Sequence, residues 1–244
     1  MGHSLVVTVQ FGIDLNRGHR YSGVGHRTRI AQQGGPRIPS TLSPVAPRTL
    51  VLASASPARL RLLRDAGFDP AVVVSGVDES GVEAESTEAL VTTLAQHKAQ
   101  AVADPSGDAV VIGCDSLLEF EGEARGKPAS TEQARTWLHT MRGRSGTLST
   151  GHCVIDERTG GEVSGVASTT VCFADTTDQE VEAYLATGEA MAVAGAFTLD
   201  GRSAPFIAGV KGDAGNVIGL SLPLLRGLLT QLGISITDLW VTPG

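Results

Sequence analysis

Asp115 directly follows Ala109-Val-Val-Ile-Gly-Cys114, the most continuous apolar run in the chain. Such a run reads as a strand buried on both faces, central to its sheet. Asp115 then falls at a strand's carboxyl end, where open α/β sheets place their ligands. A carboxylate there can take a proton from an attacking water, although an aspartate is equally at home as a strand-ending turn residue. Glu79 lies in a second acidic stretch, with Asp78, Glu83 and Glu85. Magnesium is held by one or two carboxylates together with phosphate oxygens, and an acidic run is also what a solvated loop carries. Lysine is scarce: Lys98, Lys127 and Lys211 stand against sixteen arginines. Lys98 and Lys127 are compact point charges suited to phosphate, and both positions also suit ordinary surface lysines.

The stretch Leu50-Val-Leu-Ala-Ser-Ala-Ser-Pro-Ala-Arg-Leu-Arg-Leu-Leu63 supplies the complementary chemistry. Its start reads as a short buried strand. Ser56 is a good N-cap and Pro57 fits the first helical position, so a helix follows and stops near Gly67. Arg59 and Arg61 sit in the first turns, where the helix dipole already presents positive charge. An anion docked at this end resolves the conflict. Ser54, Ser56, the free amides and Arg59 would then converge on one phosphate group. The alternative is a solvated, capped helix whose arginines reach into water.

These residues need elements to hold them. Ala71–Ser75 reads as a second strand and residues 88–103 as a helix capped by Ser86 or Thr87, with Leu90, Leu94 and Ala101 as its buried stripe and Lys98 at the edge of that face. Leu117–Phe120 and the Glu121-Gly-Glu turn suggest a hairpin. Thr131–Met141 reads as a helix, Thr147–Ile155 and Glu162–Phe173 as paired antiparallel strands, and Asp178–Thr187 as a helix ended by Gly188. Ala192–Leu199 and Pro205–Val210 read as strands, and Val217–Leu232 as an apolar helix interrupted by Pro223, with a short helix closing the chain. Mixed helices and strands give an α/β or α+β class with a mixed sheet.

Composition narrows the field. The chain has 244 residues, 41% of them hydrophobic, and a formal charge of −7. That excludes a broad nucleic-acid polymer footprint. No apolar run approaches the roughly 20 residues that span a membrane. Cys114, Cys153 and Cys172 lie in apolar strand-like runs and read as reduced core residues of a cytoplasmic protein. Residues 1–47, rich in Gly, Ser, Pro and Arg with one acidic residue, read as a mostly disordered extension, leaving 48–244 as the folded domain.

Ser54-x-Ser56-Pro57-x-Arg59-x-x-Leu62-Leu63 resembles the opening motif of the Maf family of nucleoside triphosphate pyrophosphatases. Val77-Asp-Glu79, Ala95-Gln-His-Lys98-Ala, Ile112-Gly-Cys-Asp115-Ser, Gly126-Lys-Pro128, Ala194-Gly-Ala-Phe and Asn216-Val-Ile-Gly-Leu220 follow in the family's order. The resemblance implies an elongated mixed sheet, helices on its flanks and a cleft between two lobes, in a homodimer. It implies hydrolysis of a nucleoside triphosphate to monophosphate and pyrophosphate with a divalent cation, Mg2+ or Mn2+. Asp115 would be the general base and Glu79 the metal-associated carboxylate, with Asp78 as the alternative. Ser54, Ser56, Arg59, Lys98 and Lys127 would hold the triphosphate.

The chain departs from the family at Ala58, where a second arginine is common, at Val193 for lysine, at Asp200 for glutamine, at Ser116 for threonine or glutamine, and by lacking a histidine before Thr150-Gly151. The lost cations motivate a rival expectation, a non-catalytic nucleotide-binding regulator of cell division. A third is a phosphatase releasing orthophosphate. A cysteine hydrolase built on Cys114 would need an accessible, activated thiol, which a strand-core position denies.

Overall fold

A computed structural model describes residues 48–241; the expected extension over 1–47 lies outside them. In chain order the elements are β1 (Leu50–Leu52), α1 (Pro57–Asp65), β2 (Ala71–Val72), α2 (Thr87–Gln100), β3 (Val110–Phe120), β4 (Glu123–Arg125), α3 (Thr131–Met141), β5 (Ser145–Asp156), β6 (Gly161–Phe173), α4 (Asp178–Leu185), β7 (Ile207–Lys211), α5 (Ala214–Ile218) and α6 (Leu222–Gln231). One mixed sheet of seven strands runs β2-β1-β3-β5-β6-β7, with β4 also on β3. β1 is parallel to β2 and β3; every other pairing is antiparallel.

Alternation along β3 divides the core. Val110, Ile112 and Cys114 pack with α1 and α6 residues such as Leu63 and Leu225, while Val111 joins Ala95 and Ala99 of α2 on the opposite face. Leu118 and Phe120 belong to a separate distal core with Met141, Phe173 and Phe197.

α2 lies unusually close to the sheet. A Cβ on Gly113 would fall 2.2 Å from the Ala95 carbonyl oxygen, and one on Gly151 would fall 2.1 Å from that of Val91. Only glycine admits this approach. The small residues Ala95 and Ala99, with Val91 and Leu94, therefore form the buried face. Of the expected stripe only Leu94 is buried; Leu90 is half-buried and Ala101 exposed.

Several expected elements change for identifiable reasons. β3 does not end at Asp115 but runs through it to Phe120, because β5 pairs with it from Val110 to Glu119. β2 stops at Val72: β1 ends at Leu52 and leaves no ladder for Val74 and Ser75. Residues 189–196 form two 3-10 turns rather than a strand, since Gly195 and Ala196 both have positive φ. The apolar helix expected over Val217–Leu232 is two helices. Gly219, at φ 125°, makes the break, and Ser221 caps α6 with Pro223 inside its first turn. The expected closing helix is a short 3-10 turn at Ile236–Leu239.

Candidate active site

β1 pairs with β3 only as far as Ile112, and β4 begins opposite Leu118 on the same edge of β3. Between them the sheet has an opening. The turn Ala53–Ser56 flanks one end and Gly126-Lys127 the other. Asp115 and Ser116 lie in its floor and, as strand neighbours, send their side chains to opposite faces.

On the α2 face three of the expected residues converge. Lys98 Nζ lies 2.6 Å from Asp115 Oδ1 and 2.6 Å from Glu79 Oε1. Asp115 is buried opposite Gly151, the glycine under α2, so the close helix approach sets the Lys98–Asp115 distance. Burial pushes the Asp115 carboxyl above the ordinary aspartate range, while Lys98 and, more weakly, Arg59 pull it back. Glu79 sits on the exposed 73–86 segment and reaches inward to Lys98. The neighbouring carboxylate is otherwise engaged: Asp78 Oδ1 accepts from the Ser80 amide at 2.9 Å and hydroxyl at 2.7 Å, which lowers its pKa. The geometry thus separates two residues that the sequence leaves equivalent.

On the α1 face a buried hydrogen-bond network replaces the charge cluster. Ser56 caps α1 through the Arg59 amide, as expected. Arg59 Nε donates to the Gly219 carbonyl at 2.8 Å, Nη1 to Ser54 Oγ at 3.0 Å and Nη2 to Ser116 Oγ at 2.9 Å. All these acceptors are neutral, and among the described residues no carboxylate forms an ion pair with this buried guanidinium. Its charge is left uncompensated beside the turn. Ser54 Oγ and Ser56 Oγ act as acceptors here, which leaves each hydroxyl proton free to donate. Ser116 continues the network to Thr150, whose hydroxyl donates to the Asn216 carbonyl at 3.0 Å. Asn216 Nδ2 in turn donates to Leu148 and Thr169.

Lys127 is exposed and stands apart from both clusters. Extending the β3–β4 register from Leu118↔Arg125 would set it across the opening from Ser116. The Arg61 side chain forms an ion pair with Asp200 on the segment beyond the 3-10 turns. Thr150, Asn216 and Gly219 support the site without having been expected to. Their signal was the placement of Thr150-Gly151 and Asn216-Val-Ile-Gly219-Leu220 within the ordered motifs.

Two other possibilities close. Cys114 is fully buried, and desolvation pushes its thiol up to about 11, so it offers no thiolate. His152 is fully buried between the Thr150 carbonyl and the Ser221 amide, and burial lowers its pKa to about 3, so it stays neutral. Among the described residues no group of three His, Cys, Asp or Glu side chains could encase a metal, and no helix is long and apolar enough to cross a membrane.

Comparison with known proteins agrees with this geometry. A family model described as Maf-like protein matches residues 49–232. A nucleoside triphosphate pyrophosphatase of Streptomyces coelicolor is 58% identical over 201 residues, covering 82% of this chain and 98% of the relative. One from Synechocystis sp. is 49% identical over 194 residues, covering 80% of this chain and all of the relative. The opening in the sheet, its serine turn and the Lys98-centred carboxylates are thus those of a protein that belongs to the Maf family.

Proposed function

We propose that this chain hydrolyses nucleoside triphosphates to nucleoside monophosphate and pyrophosphate, with residues 48–244 as the catalytic domain. Relatives bearing the name nucleoside triphosphate pyrophosphatase support the reaction. The observation that carries the reading is Lys98 Nζ at 2.6 Å from both Asp115 and Glu79. An ammonium held between two carboxylates marks a place where positive charge is favoured, beside a turn that favours negative charge.

Asp115 is the general base. It takes the proton of a water aimed at the α-phosphorus, and its raised pKa makes its carboxylate a better proton acceptor than an ordinary aspartate. Lys98 releases Asp115 when phosphate oxygens offer it a better partner. The Ser54 and Ser56 hydroxyls donate to those oxygens, and Arg59 supplies its charge from behind them. Lys127 reaches into the opening from the other side on its flexible stem.

A divalent cation fits the donor set. Glu79 is half-exposed and already faces a cation, and magnesium is commonly held by one or two carboxylates with water and substrate oxygens completing its shell. Mg2+ or Mn2+ held by Glu79 would neutralise charge on the phosphate oxygens. The role that follows is removal of unwanted nucleotides before polymerases use them, in the cytoplasm.

Product analysis tests the reaction class. Purified protein with magnesium or manganese is incubated with normal and modified nucleoside triphosphates. Equal amounts of pyrophosphate and monophosphate are expected. Orthophosphate alone would establish a phosphatase instead, and nucleotide binding without turnover would establish the regulatory protein.

A further inference from the structure

Lys127 is carried by a turn that the sheet does not hold. The β3–β4 ladder closes at Leu118↔Arg125, so Gly126 lies beyond it. Among the described residues, the main chain of 126–128 makes a single hydrogen bond: the Gly126 carbonyl accepts from the Gly195 amide at 2.9 Å. Packing anchors the flanks. Arg125 is buried, with its guanidinium 4.6 Å from the Phe120 ring centre and 5.5 Å from that of Trp137, and Pro128 is buried, whereas Lys127 between them is exposed. The Gly195 donor belongs to an unusual turn. Gly195 and Ala196 both have positive φ, 67° and 63°. Left-handed backbone is costly for a residue with a side chain, yet Ala196 adopts it while fully buried in one cluster with Ala134 of α3 and Tyr184 of α4. Phe197, next in the chain, meets Phe173 edge-on with ring centres 5.0 Å apart. A Cβ on Gly195 would lie 2.7 Å from Cδ2 of Leu118, the residue that closes the β3–β4 ladder. The turn is thus seated between two core clusters and presents one amide to the residue before Lys127.

We infer that Gly195 is a positioning residue for Lys127, fixing through its amide the peptide unit from which the lysine side chain springs. The inference rests on the pyrophosphatase reading, in which Lys127 meets the triphosphate. The Gly126 carbonyl and the Lys127 nitrogen and Cα share one planar peptide group. A single bond to that carbonyl therefore orients the base of the lysine side chain. The stem beyond it is flexible and ends in a compact charge with no fixed direction, so the volume that the ammonium can sample is set by where its Cα stands. β3 offers no ladder at this point, and the Lys127 side chain has no hydrogen-bond or ion-pair partner among the described residues. The Gly195 amide remains as the constraint. Glycine is required at 195 on two counts, its left-handed φ and its contact with Leu118. Alanine at 196 admits fewer backbone conformations than glycine and so stiffens the turn. Ser54, Ser56 and Arg59 lie on the β1–α1 side, so the phosphates would be gripped from two sides by separately anchored segments.

Binding of magnesium tripolyphosphate to the full chain tests this, followed by calorimetry and by residue-resolved amide hydrogen exchange. Lys127→Ala is expected to weaken binding about tenfold, the loss of one charge-assisted contact. Gly195→Ala is expected to weaken it by a similar factor, and no further when Lys127 is already alanine, while the melting temperature falls equally in both backgrounds. A merely structural turn would lower the melting temperature and leave affinity unchanged, or weaken it by the same factor with and without Lys127; either result overturns the inference. Coupling is reciprocal, so the wild-type chain gives a second test that needs no folded Gly195 variant. Tripolyphosphate should slow exchange at the Gly195 amide about tenfold, the same coupling read from the other end, and Lys127→Ala should abolish the slowing. Unaltered exchange at Gly195, or slowing that survives Lys127→Ala, also overturns it. If Lys127→Ala bound tripolyphosphate as tightly as the wild type, Lys127 would leave the pyrophosphatase reading and the positioning role would fall with it. If that variant bound weakly without coupling to Gly195, the reading would stand and the positioning role alone would fall. Coupling without pyrophosphate release from nucleotides would remove the reaction and leave the positioning role.

Discussion

The two faces of β3 at the opening handle positive charge in opposite ways. On the α2 face, Lys98 is paired with two carboxylates, one of them on an exposed segment. On the α1 face, Arg59 is buried and bonded only to hydroxyls and a carbonyl, with Ser116, Thr150 and Asn216 extending the network inward. The first arrangement can exchange partners, because each ion pair is replaceable by phosphate or metal. The second cannot, because every neutral acceptor lost would leave a buried donor unpaired. Adjacent residues of one strand therefore lie in different settings: Asp115, the proposed base, in the exchangeable cluster and Ser116 in the buried network.

Asp115→Asn should break the comparison most sharply. It removes the proposed base and keeps the shape, so kcat should fall about a thousandfold, with the melting temperature unchanged or higher because a buried ionisable carboxyl has gone. The pH profile supplies the companion test. Since the folded pKa is raised, the protonated, inactive form persists to higher pH. The acid limb of kcat/KM should therefore lie above 3.8, with rate rising as pH rises through the folded value. A limb at or below 3.8 would mean that Asp115 is not the titrating base.

Arg59→Met should show the reverse pattern. It leaves the buried Gly219 carbonyl without its donor and takes one bond each from the Ser54 and Ser116 hydroxyls, and should cost about 3 kcal/mol in urea unfolding. If stability were unaffected and only KM rose, Arg59 would be a phosphate ligand rather than the pin that holds the serine turn, and the division between the faces would fail.

The cluster proposed to react is more legible in the sequence than the network that holds the turn. Asp115, Lys98 and Glu79 are charged residues near apolar elements, and charge beside burial is visible in one dimension. The serine cap of α1 was legible for the same local reason. The holding half depends on contacts distant in sequence: Arg59 with Gly219, Thr150 with Asn216. Nothing in periodicity signals such pairs. β3 runs past the end expected at Asp115: an aspartate usually interrupts a strand, and here long antiparallel pairing with β5 overrides that preference. The buried stripe on α2 differs from the expected one because hydrophobic size points to Leu90, whereas Gly113 and Gly151 make alanine the residue that fits.

Glu79→Gln tests the exchangeable side at smaller amplitude. Lys98 keeps Asp115, so the fold should be indifferent. The metal concentration for half-maximal rate should rise roughly tenfold. An unchanged metal requirement would transfer the ligand role elsewhere, and Asp78→Asn, whose carboxylate is turned onto Ser80, would be the matched control.

The smallest effect should come from Arg61, two residues from Arg59 on the same helix. Arg61 pairs with Asp200, which gives it a formal partner that Arg59 lacks, so a count of ion pairs would rank it higher. Exposure reverses that ranking. The Arg61 side chain is 54% exposed, so water and salt screen the attraction and ordering a long side chain offsets much of what remains. Arg61→Ala should change unfolding stability by no more than about 0.5 kcal/mol, less at high salt, with kcat unaltered. Measured beside Arg59→Met, it separates a buried cation without a counter-charge from an exposed one that has it. A large loss at Arg61 would mean that the Arg61–Asp200 pair, and not the Arg59 network, fixes α1 to the rest of the site.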